Sequence, residues 1–168
     1  MITRLRAPLE TAANTVALAG GCALSAIALL TVGAVISEAF GAPFLGDSEI
    51  VELVVGASVA SFLPLCQLAG GHVAITLFTD RLPRPIRLAC DLVASGLMLV
   101  VAIVLTWRTG VGGLDAFSRE RATMFLQLPL WWGFFASFLP CLLWVLCAAF
   151  VMVERACGAT PKPSETPA

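Results

Sequence analysis

The stretch Ala13–Ile36, ANTVALAGGCALSAIALLTVGAVI, carries no charged residue and decides the class of the fold. As a helix rising about 1.5 Å per residue, it is long enough to cross a hydrocarbon core of about 30 Å. The charge-free gap around it runs from Glu10 to Glu38. Arg4 and Arg6 before it give the basic start of a secretion signal. The apolar run, however, far exceeds the about 7–15 residues of a signal core. It is expected to stay in the protein as an uncleaved membrane helix.

The same test applied outward finds three more gaps. None of the residues between Glu52 and Asp80 is acidic or basic except His72. Asp91 alone interrupts the stretch from Arg87 to Arg108, and no charge lies between Arg121 and Glu154. The predicted spans are 13–36, 49–68, 86–107 and 128–153. They form one four-helix transmembrane domain, 1–155, followed by a Pro-rich polar tail, 156–168, expected to be disordered. Within lipid every backbone group must be bonded internally, and a barrel would show alternating segments of about ten residues. The expected fold is therefore an all-α integral membrane protein.

Composition agrees. Of 168 residues, 59% are hydrophobic and 12% charged, and the mean hydropathy is +0.94. A soluble domain is about 25% charged. Disorder needs low hydrophobicity. A basic nucleic-acid binder is excluded, because ten Lys and Arg face eleven Asp and Glu.

Orientation follows from the basic residues. Arg4, Arg6, Arg81, Arg84, Arg87, Arg155 and Lys162 lie on one side of the spans, and Arg108, Arg119 and Arg121 on the other. Seven against three places both termini in the cytoplasm. Trp107, Trp131 and Trp132 are expected together at the outer interface, where an indole finds both apolar and polar surroundings.

The connections are read from local signals. Ile2, Leu5 and Leu9 fit either a short interfacial helix or a plain basic flank. Asp47 or Ser48 is expected to cap the second helix, with Glu49 and Glu52 in its first turns, where carboxylates suit the helix dipole. The segment from His72 to Leu82 is expected at the cytoplasmic interface. In the second outer loop the GVGG of residues 110–113 reads as flexible and DAFSRERAT as a short helix.

Chemistry is sparse. The six cysteines, at 22, 66, 90, 141, 147 and 157, form no Cys-x-x-Cys and read as small apolar residues. His72 is the one histidine and has no ligand partner at helical spacing, so no metal site is expected. Glu52 and Asp91 are the carboxylates nearest to lipid, yet both lie close to predicted helix ends. Pairing with a neighbouring helix suits them better than proton coupling. Ala13, Ala17, Gly21 and Ser25 place a small residue at every fourth position, a row that favours close helix packing. Pro64 and Pro140 each remove a backbone hydrogen bond inside a span. No nucleophile–base pair, phosphate loop or cofactor motif is present, which points away from an enzyme.

Three features in this order carry a family resemblance. The first is Ser48-Glu49 with Glu52 at the start of span two. The second is Gly71-His72-Val73-Ala74-Ile75 followed by Leu82-Pro83. The third is Thr123, Leu128-Pro129, Trp131-Trp132 and then Pro140. On a four-span frame the chain resembles the small membrane subunit (DctQ-like) of tripartite ATP-independent periplasmic (TRAP) transporters. It departs from that family's pattern at Gly70-Gly71, Thr76 and Leu142. The resemblance implies a non-catalytic scaffold in the bacterial inner membrane, bracing a large permease subunit during sodium-coupled uptake of an organic acid. A periplasmic solute-binding protein would deliver that acid. Glu49, Glu52 and His72 are then expected in structural or inter-subunit contacts, and Arg119, Glu120 and Arg121 on the periplasmic surface. The alternative is a small homodimeric proton-coupled exporter.

Overall fold

The structure, a computed structural model, describes residues 2–42, 46–69 and 84–156. It contains four helices: α1 (Ile2–Ala39), α2 (Asp47–Leu68), α3 (Arg84–Ser118) and α4 (Trp131–Ala156). Each is long and apolar enough to cross a membrane. The helices stand side by side in an open layer, in the spatial order α1–α2–α4–α3. Among the described residues α1 and α3 do not meet, and α1 reaches α4 only marginally. The α1–α2 corner and the α3–α4 connection share one end, called here the hairpin end. The start of α1 and the end of α4 share the other, the termini end.

The open layer leaves large apolar surface uncovered. Leu18 and Leu29 on α1 are each 73% exposed, and Leu97 and Trp107 on α3 are 65% and 71% exposed. Water does not tolerate contiguous apolar surface on this scale, whereas lipid does.

Small residues set the packing. Cys147 and Ala148 on α4, Ala102 on α3 and Ala13 on α1 are fully buried. Near the termini end Ala13, Leu68, Cys147 and Val151 join α1, α2 and α4 in one cluster. Ala102, Trp144 and Ala148 form a second, between α3 and α4. Gly20 marks the closest approach of α1 to α2: a Cβ there would lie 2.7 Å from Ser61 Cβ and 3.1 Å from the Ser58 carbonyl oxygen. The Thr106 hydroxyl donates to Ala102 O of its own helix at 2.7 Å and to Cys141 O of α4 at 3.2 Å. Pro64 and Pro140 are both buried within their helices.

Several local expectations change. Residues 2–12 do not form a separate interfacial helix; α1 is continuous from Ile2 through Pro8 to Ala39. Leu9 packs on the three-helix cluster, which anchors this first part. Gly46, not Asp47 or Ser48, occupies the cap position of α2, with no side-chain cap bond. The GVGG segment is not part of a loop: α3 runs through it to Ser118. Its glycines seat the α4 phenylalanines: a Cβ on Gly112 would lie 2.9 Å from Phe134 Cε1, and one on Gly110 3.1 Å from Phe138 Cε2. Trp107 is consequently about three turns short of the end of α3 and is not level with Trp131 and Trp132. Leu128, Pro129 and Leu130 precede α4 and belong to the connection. The segment from His72 to Leu82 and the tail from residue 157 lie outside the described residues.

Candidate functional site

The hairpin end is built around one carboxylate. Residues 121–130 fold back on themselves through an antiparallel bridge between Ala122 and Pro129. The turn is closed by Thr123 N to Leu128 O at 2.9 Å, Leu130 N to Arg121 O at 2.9 Å, and Leu128 N to Thr123 Oγ1 at 2.9 Å. Glu120 (φ 47°) and Gln127 (φ 54°) take the left-handed backbone region that non-glycine residues rarely occupy. The tip of this hairpin presents two main-chain N–H groups to Glu49. Phe125 N donates to Glu49 Oε1 at 2.8 Å and Leu126 N to Oε2 at 2.9 Å. Charge-assisted bonds of this kind are about twice as strong as neutral ones. Gly46 (φ 138°) completes the lock, since a Cβ there would overlap the Leu126 side chain. The α1–α2 corner and the hairpin therefore form one platform. Beside it Phe117 stacks edge-on against Trp131 at 5.7 Å.

The termini end is tied by side chains. The Arg6 guanidinium donates to Glu10 Oε1 at 2.8 Å and to Glu154 Oε1 at 3.1 Å, joining α1 to α4. Arg155 Nη1 donates to Ser95 Oγ at 2.7 Å and to Asp91 O at 3.2 Å, joining α4 to α3. Between the two ends Trp144 Nε1 donates to Gln67 Oε1 at 3.3 Å. Both residues are buried, and Gln67 Nε2 has no partner among the described residues.

These features describe helix-to-helix fastening along a lipid-facing layer. Residues 27–159 match the family model described as Tripartite ATP-independent periplasmic transporters, DctQ component. The chain belongs to this family. Nothing among curated proteins or solved structures matches it. As a DctQ component it is a small membrane subunit of a TRAP transporter, a multi-pass membrane protein with a transport role.

The structure separates the residues singled out in the DctQ sequence. Glu49 grips the hairpin, while Glu52, one turn further along α2, is exposed and has no partner among the described residues. His72 lies outside the described residues, beyond the opposite end of α2. Ala13 and Ala17 are buried, Gly21 is half-buried and Ser25 is exposed, its hydroxyl donating to Gly21 O at 3.0 Å. The buried face of α1 continues instead through Gly20 and Ile27. A four-residue step overshoots the helical turn of about 3.6 residues, so a strict fourth-position row rotates off the contact face. Arg119, Glu120 and Arg121 are exposed at the hairpin end, with Arg119 Nε on Asp115 Oδ1 at 2.7 Å. Gly46, Gln67 and the Arg155–Ser95 tie were not singled out from sequence. The glycine directly before Asp47-Ser48-Glu49 was the available signal for the first.

Proposed function

We propose that this DctQ subunit is a non-catalytic scaffold, bracing the large permease subunit of a TRAP transporter in the bacterial inner membrane. Its partner moves an organic acid, delivered by a periplasmic solute-binding protein, with sodium as the coupling ion. The observation that carries this reading is the open layer. Among the described residues the ion pairs and most polar side-chain bonds fasten helix ends or lie within one helix, and both edge helices keep an uncovered face. A layer of this form widens and stiffens a larger assembly. With both termini cytoplasmic, the hairpin end faces the periplasm. Its platform then presents Arg119, Glu120 and Arg121 towards the binding protein. The basic residues favour that orientation further once Arg108 is counted within α3, leaving Arg119 and Arg121 alone on the outer side.

Reconstitution tests the reading. Liposomes containing the chain together with its large subunit, given the binding protein and a sodium gradient, are expected to accumulate substrate. Liposomes with either membrane subunit alone are expected to accumulate none. Substrate movement by this chain alone would overturn the scaffold role.

A further inference from the structure

Arg108 is the one charged side chain deep within a described apolar helix that faces away from the layer. The Thr106 bond to Cys141 O sets its depth, because it places this turn of α3 beside a point ten residues into α4, which begins at Trp131. Arg108, two residues nearer the hairpin end, is thus about 12 Å from the level where α4 begins and about 15 Å from the end of α3, and farther still from the termini end. The turns of α3 on either side of it, Val100–Trp107 and Thr109–Leu114, carry no other charge. The side chain is exposed and has no partner among the described residues. Its own helix offers none: Val104, Leu105, Val111 and Gly112 occupy the neighbouring turns, and Asp115 is taken by Arg119. An isolated cation at this depth in lipid is costly and calls for a counter-charge.

The residues flanking it show what kind of group supplies that charge. Leu97, Val101, Val104, Arg108, Val111 and Asp115 succeed one another at steps of 4, 3, 4, 3 and 4. This is the spacing that meshes with another helix. The four apolar members are 65%, 40%, 53% and 46% exposed. The stripe lies opposite the face that Ser95, Ala102, Thr106 and Gly113 bury against α4. We propose that this outward stripe of α3 seats a membrane helix of the large subunit, and that an aspartate or glutamate on that helix pairs with Arg108. The proposal rests on the scaffold reading above and adds to it the face and the charge used for docking.

The test uses the full chain, affinity-tagged and co-expressed with its large subunit, with the complex recovered in mild detergent. Arg108→Glu is expected to lower the co-purified large subunit, and sodium-driven uptake with it, by at least about tenfold. Arg108→Lys is expected to retain most of both. A photo-reactive residue at Val104, in a chain that keeps Arg108, is expected to cross-link to the large subunit. Wild-type recovery with Arg108→Glu would overturn the proposal, as would a Val104 cross-link only to lipid or to a second copy of this chain. The cross-link decides the matter if the charge-reversed variant fails to fold. Failure of the wild-type chain to recover the large subunit would instead count against the scaffold reading itself.

Discussion

The two ends of the layer are fastened by different chemistry. At the hairpin end a single carboxylate, Glu49, holds main-chain N–H groups of Phe125 and Leu126. At the termini end Arg6 meets Glu154, and Arg155 meets Ser95, through side chains from different helices. Main-chain donors are present whatever the hairpin side chains are, so the platform keeps its shape while its exposed residues are free to vary. The termini end depends on particular residues on both partners. It also lies among the buried residues of three helices, so an error there is felt by the packing.

That contrast predicts where substitutions hurt most. Arg6→Leu leaves Glu154, whose side chain is only 12% exposed, without its cation. A buried pair broken from one side is strongly destabilising, and partial exposure reduces the loss here to about 2 kcal/mol. Denaturant unfolding in micelles measures it. The double variant Arg6→Leu with Glu154→Leu is expected to recover most of the loss, because an apolar pair of similar volume needs no compensation. A double variant no more stable than Arg6→Leu would contradict the assignment of that loss to an unpaired carboxylate.

At the hairpin end the expected change is local. Glu49→Ala frees the two hairpin amides, and their hydrogen exchange is expected to quicken by about an order of magnitude. Glu49→Gln keeps one acceptor oxygen and should fall between. The helices themselves are expected to unfold as in the wild type. A global loss equal to that of Arg6→Leu would erase the distinction between the two ends.

Much of this arrangement was visible in the sequence because charges are excluded from hydrocarbon. The gaps bounded by Glu10 and Glu38, and by Arg121 and Glu154, therefore enclose apolar helix. The same rule failed at Arg108, which read as the end of a span although α3 continues to Ser118. Glycine misled there too. In water Gly110–Gly113 would weaken a helix, but between packed helices the missing side chains make room for Phe134 and Phe138. Glu49 stood out as an acidic residue in the first turn of a helix. Its partners did not, because a backbone N–H has no residue letter of its own and its direction depends on the completed hairpin.

Arg155 supplies a smaller test of the side-chain end. Its bonds go to a hydroxyl and a carbonyl, neither of which is charged. Arg155→Met, keeping the apolar stem, is expected to cost about 1 kcal/mol in the same unfolding experiment. The loss should be less than for Arg6→Leu, because no buried carboxylate is stranded.

The smallest effect belongs to Arg119 and Asp115. Their bond is short, at 2.7 Å, but the side chains are 71% and 42% exposed, and they lie one turn apart on the same helix. Water screens such a pair, and ordering two side chains offsets most of the attraction, leaving roughly 0–0.5 kcal/mol. Arg119→Ala is therefore expected to leave unfolding unchanged within error and to leave the Phe125 and Leu126 amides as protected as before. Protection lost at those amides would mean that the hairpin depends on its surface charges as well as on Glu49. The two ends of the layer would then differ in degree and not in kind.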